Sequence, residues 1–330
     1  MKRAGNLITA IAASKNLQMA AWKAAKGKRH QAEVMQWFEQ MDFHLRALQN
    51  QILSGTVVVG NYRYFKVFEP KERQICASAF GEQVLHHALM NICHPFFENA
   101  QDFDSYASRK GKGTYAALDR AKIYSARSTW YLKMDVRKFF ESIHHDVILQ
   151  QLSAMFKDNT LLSICEQIVR SYEASPNRGL PIGNLTSQYF ANHYLSGLDE
   201  WIKVQLKAKY YVRYMDDMVI WHSDKDVLKA FNMQISSYLE QQLMCTLKPV
   251  ALNRCNTGLP FLGYHIFPNY LHLLQKSKQR FIRKIRIIDD AFHEGSWSAA
   301  KCNRRATPLL SFIAHADTKK FQTEVFSRLQ

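Results

Sequence analysis

The sequence predicts an α+β fold with its chemistry on a β-hairpin, from three observations. Tyr210-Tyr211-Val212-Arg213-Tyr214 and Met218-Val219-Ile220-Trp221-His222 are aromatic and β-branched runs on either side of Met215-Asp216-Asp217, the pattern of a strand, a tight turn and a returning strand. Trp130, Leu132, Met134 and Val136 alternate with Tyr131, Lys133 and Asp135, the period of a strand with one buried face. Elsewhere apolar residues recur at helical spacing, from Phe38 to Ile52, across 146–174 and from Val227 to Leu243.

Taken in order, residues 1–30 carry seven Lys or Arg and no acid. Leu7, Ile8, Ile11, Met19 and Trp22 among alanines predict one or two amphipathic helices there, either packed on the body or serving as an arm for RNA or a protein. The helix ending at Ser54-Gly55 is followed by Thr56 to Phe68, whose β-branched and aromatic residues broken at Gly60-Asn61 predict a hairpin. The stretch from Glu69 leads into a long helix through Val84, Leu85, Leu89 and Ile92. Arg109-Lys110-Gly111-Lys112-Gly113-Thr114 reads as a solvated basic turn or as a phosphate cradle, without the spacing of a Walker loop. A helix is predicted over Ala116–Ala126. His144-His145 is structural, since adjacent residues do not face one ligand. Leu180 to Gln188 is a loop entering a helix, with Gly183 allowing close backbone approach to a substrate and Thr186 or Ser187 as helix caps. Met244–Pro249 and Phe261–Ile266 read as strands. Gln275 to Arg286 packs six cations into a helix, with Lys276, Arg280 and Lys284 on one face and Phe281, Ile285 and Ile288 on another.

At 330 residues, with formal charge +16 and a pI near 9.5, the chain can bury a large core and favours a polyanionic partner. No run of about 20 apolar residues is available for a membrane span, so nucleic acid is the expected partner and no membrane is. The six cysteines are scattered without a Cys-x-x-Cys pair, which fits reduced thiols in a cytoplasmic protein. Met1-Lys2-Arg3 and the alanines after it only mimic an export signal, because Asn6 and Thr9 interrupt the apolar stretch.

For a bare Asp216-Asp217 pair, a solvated turn is the plainer reading; a cation site needs a third carboxylate. Asp135, at the end of its strand and opposite the apolar stripe, supplies one if that strand lies beside the hairpin. Oxygen-rich carboxylate sites suit magnesium, and two ions about 4 Å apart can clamp an in-line phosphoryl displacement.

Tyr214-Met215-Asp216-Asp217 after a strand-borne Asp135 resembles the palm active site of reverse transcriptases. Arg109 to Thr114, Gly183-Asn184-Leu185-Thr186-Ser187-Gln188, Leu247-Lys248 and Phe261-Leu262-Gly263 fall in that family's order, over roughly residues 60 to 270. Ser187-Gln188, where many members carry Ser-Pro, resembles the reverse transcriptases of diversity-generating retroelements, relatives of the group II intron and retron enzymes. The resemblance implies a right-hand polymerase fold. Residues 1–55 would form a basic helical extension, 56–128 the fingers, and 266–330 a small helical thumb. The palm, 129–265, would be an antiparallel sheet backed by helices, with a fingers-proximal helical insertion around 146–180.

The implied chemistry is RNA-directed DNA synthesis, with Asp135, Asp216 and Asp217 holding two magnesium ions, for which manganese is a substitute. Arg109 and Lys110 would bind the incoming nucleotide's triphosphate, and Val136, Phe140, Gly183, Gln188 and Lys248 would complete its pocket. Phe140 would exclude a 2′-hydroxyl, although an isolated Phe reads as core; Gln188 would set fidelity; Lys248 would protonate pyrophosphate or lie on the surface. Lys71 and Arg73 match the family's first block or are surface charges. Lys276, Lys278, Arg280, Arg283 and Lys284 would grip the duplex backbone. About sixty residues follow the palm, room for a thumb and little for a nuclease, so template removal and integration are expected from other proteins.

A retroelement role would make the product an error-prone cDNA, mutated at template adenines, from a template-repeat RNA. Its partners would be that RNA, the RNA/cDNA duplex, deoxynucleoside triphosphates and a small, basic, oligomeric accessory variability protein, in a bacterial or phage-encoded cytoplasmic system. The alternatives are a retron, group II intron-like or defence-associated enzyme and, outside catalysis, an RNA-binding scaffold with a polymerase fold.

Overall fold

The computed structural model describes residues 3–68 and 72–327. Two compact units divide the chain: Met1–Ser108, Val136–Gln205 and Ile235–Lys248 form the first, and Arg109–Asp135, Leu206–Gln234 and Pro249–Gln330 the second. Helix and strand are mixed throughout, as the α+β prediction requires.

The first unit is built on the long helix Phe80–Asn99, against which helix Ser14–Ala24 packs. Leu17, Ala20, Ala21 and Ala24 bury the contact, small side chains that let two backbones approach. Asn16 completes it by donating from Nδ2 to the carbonyls of Ile11 at 2.8 Å and Ala88 at 3.0 Å. The basic N-terminal segment is therefore part of the packed body. Met19 and Trp22, expected on the buried face, are exposed, and the alanines take their place.

Strands β1 (Tyr62–Val67) and β2 (Arg73–Ser78) pair antiparallel, from Tyr62 with Ser78 to Val67 with Arg73. This corrects the hairpin expected around Gly60-Asn61. Gly60 does bend the chain, at φ 90°, but its N–H donates to the buried Glu82 carboxylate at 3.1 Å, so the bend docks on a helix rather than on a partner strand. The helix expected after Glu69 starts only at Phe80, because Arg73–Ser78 is drawn into pairing. Lys71 lies outside the described residues, and Arg73 is exposed.

The stretch 146–174 contains helices His145–Met155 and Asn159–Arg170, the second capped by Asp158. The other Asp158 oxygen accepts the Leu7 and Ile8 N–H groups at 2.9 and 3.1 Å, serving the start of helix Ile8–Ile11. His145 is buried with Nε2 2.8 Å from the Gly179 carbonyl, in keeping with a structural role.

In the second unit β3 (Trp130–Asp135), β4 (Tyr210–Tyr214), β5 (Asp217–His222) and β6 (Ala251–Arg254) make an antiparallel sheet in the order β4-β5-β3-β6. Helix Thr114–Ala126 packs on β4: Trp221 Nε1 donates to Ser125 Oγ at 3.0 Å, and the Tyr124 and Tyr210 rings lie 4.9 Å apart. Tyr131, expected on a solvent face, is buried, with its hydroxyl donating to the Gly258 carbonyl at 3.1 Å.

β7 (Leu259–Phe261), β8 (Tyr264–Ile266) and β9 (Leu271–Leu273) form a separate three-stranded sheet. Phe261–Ile266 is therefore a hairpin, not one strand: Leu262 and Gly263 turn it at φ 49° and 92°, the left-handed pair that suits a two-residue loop. The strand expected over Met244–Pro249 shrinks to a single bridge of Leu247 with Val136, since Met244 sits at φ 50° and Pro249 has no N–H to extend a ladder. Helix Gln275–His293 buries Phe281, Ile285 and Ile288 as its spacing predicts, and Ala299–Ala314 packs beside it.

Candidate catalytic centre

Asp135 closes β3 and lies directly opposite Asp217, the first residue of β5. Cross-strand partners project to one side of a sheet, and so do residues two apart on a strand. Lys133, Asp135 and Asp217 thus share a face with Tyr214, which pairs with Asp217 across the hairpin. Met215 and Asp216 make the turn, with Met215 at φ 56°, a left-handed backbone that few non-glycine residues adopt. The fully buried Arg213 donates from Nη1 to the Met215 carbonyl at 3.1 Å and holds that conformation.

Asp217 is strongly perturbed. Its side chain keeps 20% of its exposure, Oδ2 lies 3.3 Å from Lys133 Nζ, and Oδ1 is buried with no hydrogen-bond partner. Burial pushes its carboxyl up to about 7; Lys133 opposes the shift, and the charges of Asp135 and Asp216 reinforce it. Among the described residues no three His, Cys, Asp or Glu side chains are gathered closely enough to hold an ion as they stand.

Lys133 is the residue the sequence reading missed. Its Nζ also donates to the Pro260 carbonyl at 2.8 Å and lies 5.9 Å from the Phe261 ring centre, so one ammonium joins Asp217 to β7. The signal was present: the period of two that aims Asp135 aims Lys133 the same way. Thr114 was missed too. The basic loop turns at Gly111 (φ 71°) and Gly113 (φ 108°) and delivers Thr114 to the first helical turn, where its hydroxyl donates to the Tyr214 hydroxyl at 3.2 Å. Within that loop Arg109 is half-buried and Lys110 exposed.

The remaining expected site residues belong to the first unit. Val136 is buried and bridges Leu247, next to the half-buried Lys248. Phe139 is buried, whereas Phe140 is only half-buried and its carbonyl accepts the Leu180 N–H at 2.8 Å. Gly183 makes its close approach to the chain's own backbone: at φ 130°, an added Cβ would stand 2.7 Å from the Cys76 carbonyl oxygen. Gln188 is exposed on helix Leu185–Tyr194, and its Oε1 accepts from Ser108 Oγ at 3.4 Å. Neither Thr186 nor Ser187 caps that helix. Asn184 holds the cap position, the buried Thr186 hydroxyl meets His86 Nδ1 at 2.8 Å, and His86 Nε2 lies 3.2 Å from Glu82.

On helix Gln275–His293, Lys276 and Arg283 are exposed. Lys278 and Arg280 lie over the rings of Phe321 and Phe312 at 5.6 and 5.7 Å, and burial followed by Arg280 and Arg283 holds the Lys284 ammonium below its usual range.

Residues 69–266 match the sequence pattern described as reverse transcriptase (RNA-dependent DNA polymerase), well over half of the chain. The chain belongs to the reverse transcriptase family. Its relatives include an uncharacterized 91 kDa protein in the cob intron of Schizosaccharomyces pombe, 27% identical over 46% of this chain, and the group II intron-encoded protein LtrA of Lactococcus lactis, 22% identical over 42%. Those alignments span only 18% and 24% of the relatives' own lengths. The apo telomerase of Candida tropicalis superposes with a TM-score of 0.52 over 79% of this reverse transcriptase chain and 58% of that one, at 12% identity. That likeness shows the fold, the right-hand polymerase class that the motifs imply.

Proposed function

We propose that this reverse transcriptase extends a primer on an RNA template by two-metal nucleotidyl transfer, with Asp135, Asp216 and Asp217 as ion ligands. The observation that carries the proposal is the register of Asp135 against Asp217, with Asp216 in the adjoining turn. The donor set fits a hard divalent cation: carboxylate oxygens, one of them buried without a partner, on a carboxyl that burial and its acidic neighbours raise to about 7. When bound, such ions lower the cost of forming the attacking alkoxide and of charge on the leaving pyrophosphate. The chain's own residues position the reactants. Asp216 is presented by a turn that Arg213 fixes, Tyr214 is tied to the basic loop through Thr114, and Arg109 and Lys110 supply charge for a triphosphate. The resemblance in motif order assigns sugar selection to Phe140 and protonation of pyrophosphate to Lys248.

Ser187-Gln188 supports the diversity-generating reading, in which a template-repeat RNA is copied with errors at adenines alongside an accessory variability protein. The kinship with intron-encoded proteins supports a second reading, a group II intron-like enzyme. Primer extension on a defined RNA containing all four bases, with every cDNA sequenced, separates them. Errors concentrated opposite adenines support the first, and evenly faithful cDNA supports the second. An Asp216→Ala protein that still polymerises overturns the catalytic assignment.

A further inference from the structure

Carboxylates brought together on one sheet face repel unless something offsets their charge, and the described contacts include a cation placed to do so. Lys133 Nζ lies 3.3 Å from Asp217 Oδ2 on the face shared with Asp135. Like charges directly opposite each other in an antiparallel pair repel, and burial strengthens that repulsion. Lys133 is two positions before Asp135, so it stands diagonal to Asp217, a separation that a long side chain spans. The ammonium is also anchored from behind by the Pro260 carbonyl at 2.8 Å. It therefore engages only one side of the Asp217 carboxylate. Oδ2 meets Lys133, while Oδ1 stays buried with no hydrogen-bond partner.

We infer that Lys133 is a positioning residue that serves as a resident counter-charge on Asp217 and opposes the entry of divalent ions beside it. This rests on the reading of Asp135, Asp216 and Asp217 as ion ligands. In the ion-free protein Lys133 offsets the Asp135–Asp217 repulsion and orients Asp217 with Oδ1 presented. When ions bind, its positive charge becomes a cost, so metal affinity is held below what three carboxylates would otherwise give. Tight binding then depends on the further negative charge that a triphosphate brings.

The test uses the full chain without nucleic acid and reads Mn2+ binding by the electron paramagnetic resonance of the free ion, with melting temperature in chelator alongside. Lys133→Gln keeps a donor for Pro260 and removes the charge; Lys133→Arg keeps the charge. The expected result is tighter Mn2+ binding in Lys133→Gln by about tenfold, the screened effect of one unit charge at that range, with Lys133→Arg near wild type. Lys133→Gln should also melt lower in chelator, and adding Asp217→Asn should recover the loss. Weaker or unchanged Mn2+ binding in Lys133→Gln overturns the inference, as does a double variant no more stable than Lys133→Gln. Equal Mn2+ binding by wild type and Asp216→Ala overturns the ligand assignment itself, and this inference with it.

Discussion

The Thr114 hydroxyl donates to the Tyr214 hydroxyl at 3.2 Å, so the first turn after the basic loop is fastened to the hairpin that carries Asp216 and Asp217. Two stretches about a hundred residues apart in sequence thereby share one hydrogen bond. Thr114→Val keeps the shape and removes the donor. It should cost about 1 kcal/mol of stability in urea unfolding and raise KM for deoxynucleotides several-fold with a smaller change in kcat. Equal KM values for the two proteins would separate the loop from nucleotide binding.

Gly183 should tolerate no side chain. An alanine there would meet the Cys76 carbonyl oxygen at 2.7 Å and force φ 130° on an L residue. Gly183→Ala should lose about 2 kcal/mol or more, read as a drop in thermal midpoint, because neither the clash nor the backbone can relax cheaply.

Phe139 and Phe140 are neighbours with different fates, the first buried and the second half-buried. Phe139→Ala should destabilise by about 3 kcal/mol, the range for truncating a core aromatic. Phe140→Ala should leave stability closer to wild type and relax selection against ribonucleotides by about tenfold to a hundredfold, measured as the ratio of kcat/KM values. Unchanged sugar selection would return Phe140 to a packing role.

Stability should fall on mild acidification through His87. Burial, together with the charges of Lys23, Lys28 and His86, lowers this imidazole from 6.5 to about 4. Between those values the unfolded chain binds a proton that the folded chain refuses, so stability decreases as pH falls through the window and the effect is complete below about 4. His87→Gln removes this proton uptake. A series of melting temperatures against pH should show a shallower acid limb in the variant between pH 6.5 and 4.

The hairpin was legible because its two strands alternate and its turn is short, so one register aligns Tyr214 with Asp217. Asp135 was legible for the same reason. What alternation cannot disclose is the diagonal partner, and Lys133 escaped notice although its face was determined. Gly60 illustrates a different failure. The bend it signals is real, but its N–H is claimed by Glu82, some twenty residues further along the chain. Met244–Pro249 and Phe261–Ile266 have the composition of strands, but a positive φ or a proline inside a run ends pairing whatever the neighbours prefer. Gly183 signals a close backbone approach, and the neighbour it meets within the chain is Cys76, which no spacing in the sequence discloses.

Asp158 bears on how the protein is made. Its carboxylate receives the N–H groups of Leu7 and Ile8, residues 151 and 150 positions earlier. On a ribosome adding about 5–20 residues per second, helix Ile8–Ile11 must wait about 8 to 30 seconds for its acceptor to emerge. During that interval the Leu7 and Ile8 N–H groups lack this acceptor, and contacts of such long sequence separation form late in folding. Nascent chains arrested before Asp158 should therefore exchange the Leu7 and Ile8 amide protons faster than chains arrested well beyond it.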